Sequence, residues 1–129
     1  MIQRDYFIRQ LAQFIQALIA FLLKKDIPSF EIKNDYIKYG ADLLGLDKKE
    51  LLTYSGKQFI DMFSQDSYGL EKLEAIAYML LLNNKDAMIN SESVVKEILT
   101  YVEEHSSVYS IERNRILSEI GNYEKENES

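Results

Sequence analysis

The chain has no cysteine, one histidine, one proline and five glycines in 129 residues. Without thiols it can form no disulfide, no thiolate metal site and no cysteine nucleophile. His105 stands alone, which removes a two-histidine metal site. So little proline and glycine excludes collagen-like and low-complexity chains. Basic residues are outnumbered: 15 Lys and Arg against 21 Asp and Glu leave a formal charge of -6. A general phosphate-backbone binder draws its affinity from Lys and Arg clusters, so nucleic acid is not an expected partner. No Gly-x-Ser-x-Gly element occurs, so a nucleophile elbow is missing as well. What is present suits one ordinary domain: 47% hydrophobic and 28% charged residues can bury a core and stay soluble.

Long hydrophobic runs are scarce too. Residues 17–23, Ala-Leu-Ile-Ala-Phe-Leu-Leu, are uninterrupted, but Arg9, Gln10, Gln13 and Gln16 break what precedes them. A spanning helix needs about 20 predominantly apolar residues. Lys24, Lys25 and Asp26 follow the run, where a signal peptide would carry small residues for cleavage. A soluble cytoplasmic protein is expected, with a helix lying in a membrane surface as the alternative.

Helical periodicity dominates, with no convincing alternating strand. A first helix is expected over residues 5–25. At about 100° per residue, Phe7, Phe14 and Phe21 line one edge of an apolar arc and Ile8, Ile15 and Ile19 the other. Leu11, Leu18 and Leu22 lie between them. The arc spans about 180°, against the ~100° that suffices for packing on one neighbour. The phenylalanine ridge must therefore meet another helix of the same chain or a second protomer. Phe7, Phe14 and Phe21 are the candidate partner surface. Pro28 prevents simple continuation of this helix.

A second helix, residues 31–44, carries Ile32, Tyr36, Tyr39 and Leu43 at core spacing. Gly45 suits a left-handed C-terminal cap. Asp47 with Glu50, and Ser55 with Gln58, read as capping boxes that open two short helices. Residues 69–83 are apolar almost all round after Glu74, so this helix belongs at the centre with both Leu80 and Leu81 buried. Another helix over residues 91–104 carries Val94, Val95, Ile98, Leu99, Tyr101 and Val102. The last follows Ser110, an N-cap candidate, presents Ile116, Leu117 and Ile120, and is expected to end at Gly121. Residues 1–121 thus read as a single all-α domain of five to six helices in antiparallel pairs. Residues 122–129 are polar and mostly acidic, and read as a disordered tail.

Three segments together carry a family likeness: the opening Gln3-Arg4-Asp5-Tyr6-Phe7-Ile8-Arg9-Gln10, the Leu43-Leu44-Gly45-Leu46-Asp47 turn, and Tyr109-Ser110-Ile111-Glu112-Arg113. With them the chain resembles a family of uncharacterised bacterial helical proteins, often described as tetratricopeptide-like. The likeness implies helix pairs stacked in that style and no catalytic residues. A true repeat array is not expected. Leu73, Ile76, Ala77 and Leu80 fit a first repeat helix, but residues 83–90 make the connection too long, and three or more repeats are normally needed.

Little catalytic chemistry can be assembled. His105 follows Glu103 and Glu104 and reads as a cation at the negative end of a helix dipole. The oxygen donors of residues 83–92 lack the alternating carboxylates and central glycine of a calcium loop. Gly40 and Gly45 have phosphate-loop spacing, but Leu46 and Asp47 replace the required Lys and Ser or Thr; a close helix crossing and a helix end explain the pair. Glu71 and Glu74 share a face without the histidine of a di-iron bundle. Arg113 and Arg115 are weak candidates for an anion site, with an Arg115–Glu119 pair one turn apart as the competing use.

No catalytic, metal or cofactor residue is expected. The expected function is a non-catalytic protein-interaction or assembly module whose partner is an unknown protein or peptide, or a second copy of the chain. The rival is a ligand-binding or enzymatic pocket between helices. Convergent polar groups deep in a closed pocket would favour the rival; an exposed apolar groove would favour the module.

Overall fold

The computed structural model describes the backbone of residues 2–24, 28–83 and 91–128, and the side chains of residues 6–23, 28–83 and 92–120. The described backbone is helical without strands. Its elements are α1 (Ile2–Lys24), α2 (Phe30–Leu44), α3 (Lys48–Thr53), α4 (Gly56–Phe63), α5 (Gly69–Asn83), α6 (Ser91–His105) and α7 (Ile111–Glu128). The sequence suggests five or six helices; seven are formed among the described residues when the two short ones opened by the capping boxes are counted separately.

The boundaries have local causes. Asp47 accepts from the Glu50 N–H at 2.7 Å while the Glu50 carboxylate accepts from the Asp47 N–H at 3.0 Å. Ser55 and Gln58 repeat the arrangement at 3.1 and 2.8 Å. Each box satisfies two N–H groups that a helix start leaves unpaired. Ser29 caps α2 and Ser110 caps α7 through their hydroxyls. Gly45 ends α2 at φ 73°, and the N–H groups of Gly45 and Leu46 return to the carbonyls of Asp42 and Ala41. That double return is a Schellman cap. Buried Leu46 then seals the turn against buried Ala41.

The core is organised around α5. Leu73, Ala75, Ile76, Ala77, Tyr78 and Met79 have no exposed surface at all. Helix α5 packs against α1, α2, α3, α4 and α6. Leu80 is buried as expected, but Leu81 is only half-buried. From α1 come Leu11, Phe14, Ile15, Leu18, Ile19 and Leu22, and from α6 Val95, Ile98, Leu99 and Val102. Helix α7 adds Ile116 and Ile120.

Helix α2 turns a different face inward from the one its tyrosines suggest. Lys33, Ile37, Gly40, Ala41 and Leu44 are buried, whereas Ile32 and Tyr39 are each 46% exposed and Tyr36 and Leu43 half-buried. The expected stripe is displaced by one residue, about 100° of rotation. Close approach is the reason. A Cβ at Gly40 would stand 2.5 Å from Phe14 Cζ and 2.7 Å from Met79 Sδ, so the approach of α2 to Phe14 and Met79 at this position needs a glycine.

Two features at the ends of the chain bear on the expected bounds. Helix α7 does not stop at Gly121 but continues to Glu128, through the segment read as a disordered tail. Glu124, Lys125, Glu126 and Glu128 are good helix formers and offset the poor propensity of Gly121 and Asn122. Helix α1 is apolar over a longer stretch than its uninterrupted run: the window Tyr6–Leu23 has a mean hydropathy of 1.5 and passes the length and composition test for a membrane span. A third of that window is buried in the core, including the leucines that pack below α5.

Candidate functional site

The strongest convergence of polar groups lies among α5, α6 and α7. Arg113, only 4% exposed, donates from Nε to Glu103 at 2.5 Å, from Nη1 to Glu74 at 3.1 Å and from Nη2 to the Val108 carbonyl at 3.0 Å. Tyr78 donates to the same Glu74 oxygen at 2.9 Å, and Asn114 donates to Glu103 at 3.0 Å. Desolvation pulls the Arg113 guanidinium pKa down, and the hydrogen bonds and charges of Glu103 and Glu74 more than restore it. Asn114 and Arg113 hold the Glu103 carboxyl below its usual range. Burial, then the Glu74 charge, pushes the Tyr78 phenol far up.

This cluster is closed on itself. Every nitrogen of the Arg113 guanidinium has a protein acceptor, and two carboxylates against one cation leave it negative overall. It does not suit the anion site suggested by Arg113 and Arg115: an incoming anion would meet a guanidinium only 4% exposed and two carboxylates that repel it. Arg115 is exposed and apart from the cluster. Glu74 turns inward while Glu71 remains exposed, so the two do not form a carboxylate pair. His105 donates from Nδ1 to the Tyr101 carbonyl at 2.8 Å and stacks on the Tyr101 ring, a helix-end role. Residues 84–90 of the loop weighed for calcium lie outside the described residues.

The phenylalanine ridge is covered by the chain itself, not left as an open partner surface. Phe14 is 4% exposed and lies against Tyr36 and Tyr39, with ring centroids 6.3 and 5.5 Å away. Phe21 meets Tyr36 edge-on at 5.1 Å. Phe7 contacts Tyr68 at 6.2 Å, and Lys72 Nζ lies 5.3 Å from its ring centroid. A 180° arc needs two neighbours, and α5 with α2 supplies them here.

Covering the ridge creates a cleft above it. Helix α1 contributes Gln10, Gln13, Phe14 and Ala17, and α2 contributes Asp35, Tyr36 and Tyr39, around a hollow of about 360 Å³. The amides of Gln10 and Gln13 and the Asp35 carboxylate form no hydrogen bond or ion pair among the described residues. Tyr39 keeps nearly half its surface exposed. Two other hollows differ in chemistry. The one of about 560 Å³ between α2 and α3 mixes Lys38 and Lys48 with Asp42 and Asp47, the last committed to its capping box. The one of about 600 Å³ beside α6 mixes Lys96 with Glu97 and Glu104. The α1–α2 cleft combines the Phe14, Tyr36 and Tyr39 rings with polar groups that have no partner among the described residues.

Sequence reading missed this cleft because it assigned Tyr36 and Tyr39 to the core. The available signal was Gly40-Ala41, two small residues that mark the close-packed face and so place the tyrosines beside it. Comparisons with protein-family models, with curated proteins and with solved structures found no match to this chain.

Proposed function

We propose that the chain is a non-catalytic protein-interaction module that docks a protein or peptide segment in the α1–α2 cleft. The observation that carries this reading is the contrast between two polar sites. The buried convergence at Arg113 is taken up by its own side chains, with Glu74, Glu103 and the Val108 carbonyl each bonded to the guanidinium. The cleft is open, aromatic and lined by polar groups that have no partner among the described residues. Half-exposed tyrosine is well suited to such a surface, since a large apolar face comes with a polar tip at little entropic cost. The resemblance to uncharacterised, tetratricopeptide-like bacterial proteins fits a scaffold of this kind, and a bacterial cytoplasmic setting belongs to the same proposal.

Peptide-display selection on the full chain tests it. Selected peptides should lose about tenfold or more in affinity with Tyr39→Ala or Gln13→Ala, a loss typical of interface aromatic residues. They should keep it with Lys57→Ala on exposed α4. Unchanged melting curves would show that the cleft variants fold. Selected peptides that bind every cleft variant normally would move the interaction surface elsewhere.

A further inference from the structure

The chain already contains one completed cation site on the phenylalanine ridge. Lys72 Nζ lies 5.3 Å from the Phe7 ring centroid and 5.6 Å from that of Phe63, and 2.6 Å from Asp66 Oδ2. Two ring faces and one carboxylate thus hold a single ammonium. Seven residues further along the ridge, Phe14 occupies the equivalent position. Tyr36 and Tyr39 supply rings around it and Asp35 a carboxylate, but no described cation fills the place. Lys38, three residues after Asp35, lines the opposite groove of α2.

We infer that the α1–α2 cleft receives the cationic side chain of a partner peptide, a lysine or arginine, whose charge meets Asp35 against the Tyr36 and Tyr39 rings. The inference rests on the reading of the cleft as a docking surface. Charge complementarity selects this occupant. Aromatic faces are negative at their centres and attract a cation lying over them. The amide oxygens of Gln10 and Gln13 can accept further hydrogen bonds from an ammonium or guanidinium. The net charge of -6 draws cations toward the surface generally. An anionic side chain would meet the Asp35 charge head on. A purely apolar one would cover Gln10, Gln13 and Asp35 without pairing them, which costs their hydration for no return.

Amide-detected NMR titration of the full chain with three capped tripeptides decides it: Gly-Lys-Gly, Gly-norleucine-Gly and Gly-Glu-Gly. The lysine peptide should shift the amides of Gln13, Asp35 and Tyr39 saturably. Norleucine keeps the alkyl stem without the charge and should bind about fivefold more weakly or worse, the scale of a partly solvated cation–π and carboxylate contact. Asp35→Asn should weaken the lysine peptide by a similar factor while leaving norleucine unchanged. Tyr39→Leu should weaken it too, with the apolar area kept. Norleucine binding as tightly as lysine overturns the inference, as does an Asp35→Asn variant that binds lysine normally. No saturable shift at the cleft overturns it as well. Display-selected peptides that require Tyr39 yet carry no basic residue would reject the cation while sustaining the docking surface. Peptides indifferent to every cleft variant would reject both.

Discussion

Arg113 on α7 ion-pairs with Glu74 on α5 at 3.1 Å, across thirty-nine positions of sequence. With Glu103 on α6 as its second partner, this one guanidinium ties three helices together. It also fixes the α6–α7 turn by holding the Val108 carbonyl, leaving Val108 and Tyr109 each 70% exposed. No buried side-chain nitrogen or oxygen among the described residues lacks a partner, so the cluster is satisfied as it stands.

Arg113→Met should therefore be costly, at about 3–5 kcal/mol, since it strands a largely buried carboxylate at Glu74. Adding Glu74→Gln should recover part of that loss, because the stranded charge disappears while an acceptor for Tyr78 remains. Urea denaturation of the two variants measures both. A double variant no more stable than Arg113→Met would show that lost packing, not the unpaired charge, dominates.

Acid should act through two carboxylates. Asn114 and Arg113 hold the Glu103 pKa down. Partial burial pushes Asp66 up, but hydrogen bonds from Lys72 and the Tyr68 N–H outweigh it and leave the pKa lowered. A carboxylate with a lowered folded pKa contributes stability that is complete above its unfolded pKa and is lost as pH falls through the folded one. With unfolded values near ~4.3 for Glu and ~3.9 for Asp, these two contributions should stay flat at neutral pH and fall below about pH 4. Glu103→Gln and Asp66→Asn should each flatten the acid limb of a melting-temperature profile and lower its neutral plateau. An acid limb unchanged in both variants would assign it to other groups.

Gly40→Ala sets two effects of opposite sign against each other. Alanine gains about 1 kcal/mol in helix propensity over glycine. Overpacking typically costs about 1–3 kcal/mol. The added methyl would stand 2.5 Å from the Phe14 ring, itself held between Tyr36 and Tyr39, while the Met79 thioether at 2.7 Å can yield. The ring cannot yield as easily, so the variant should be less stable, by about 1 kcal/mol net. A stabilised variant would mean that α2 packs less closely than found here.

Removing residues 123–129 should leave the melting temperature nearly unchanged, within about 0.5 kcal/mol of stability, as for surface changes generally. The last buried side chain described on α7 is Ile120. The truncated protein should nonetheless lose some far-ultraviolet helix signal, because α7 extends to Glu128. A large fall in stability would show that the final turns dock on the body.

Legibility from sequence followed the range of the interactions. Both capping boxes, the Gly45 cap and the apolar girth of α5 depend on residues within a turn or two, and each could be read directly. The inward face of α2 could not, because hydrophobicity credits Tyr36 and Tyr39 and ignores Gly40, whose value lies in what it lacks. Lys33 is buried on that face too, as the aliphatic stem of a lysine can be. Arg113 read as a weak anion-site candidate because its partner Glu74 is remote in sequence. The cleft was hidden by the same rotation of α2, since it exists only where the tyrosines stand beside the packed face.

The phenylalanine ridge offers the sharpest test of the packing as a whole. If Phe7, Phe14 and Phe21 met a second protomer, charged replacements would leave each chain folded and separate. Here Phe14 is nearly sealed beneath Tyr36 and Tyr39, so a carboxylate in its place would be desolvated without a partner. Phe7→Glu with Phe14→Glu should therefore abolish the cooperative melt. Phe14→Leu, which keeps the site apolar but leaves part of the ring volume empty, should stay folded at a cost of about 1–3 kcal/mol. Circular dichroism and light scattering on the three proteins separate the cases. A folded double variant with half the wild-type mass would place the ridge in an interface between copies. A folded double variant of unchanged mass would mean that α2 does not cover Phe14 in solution.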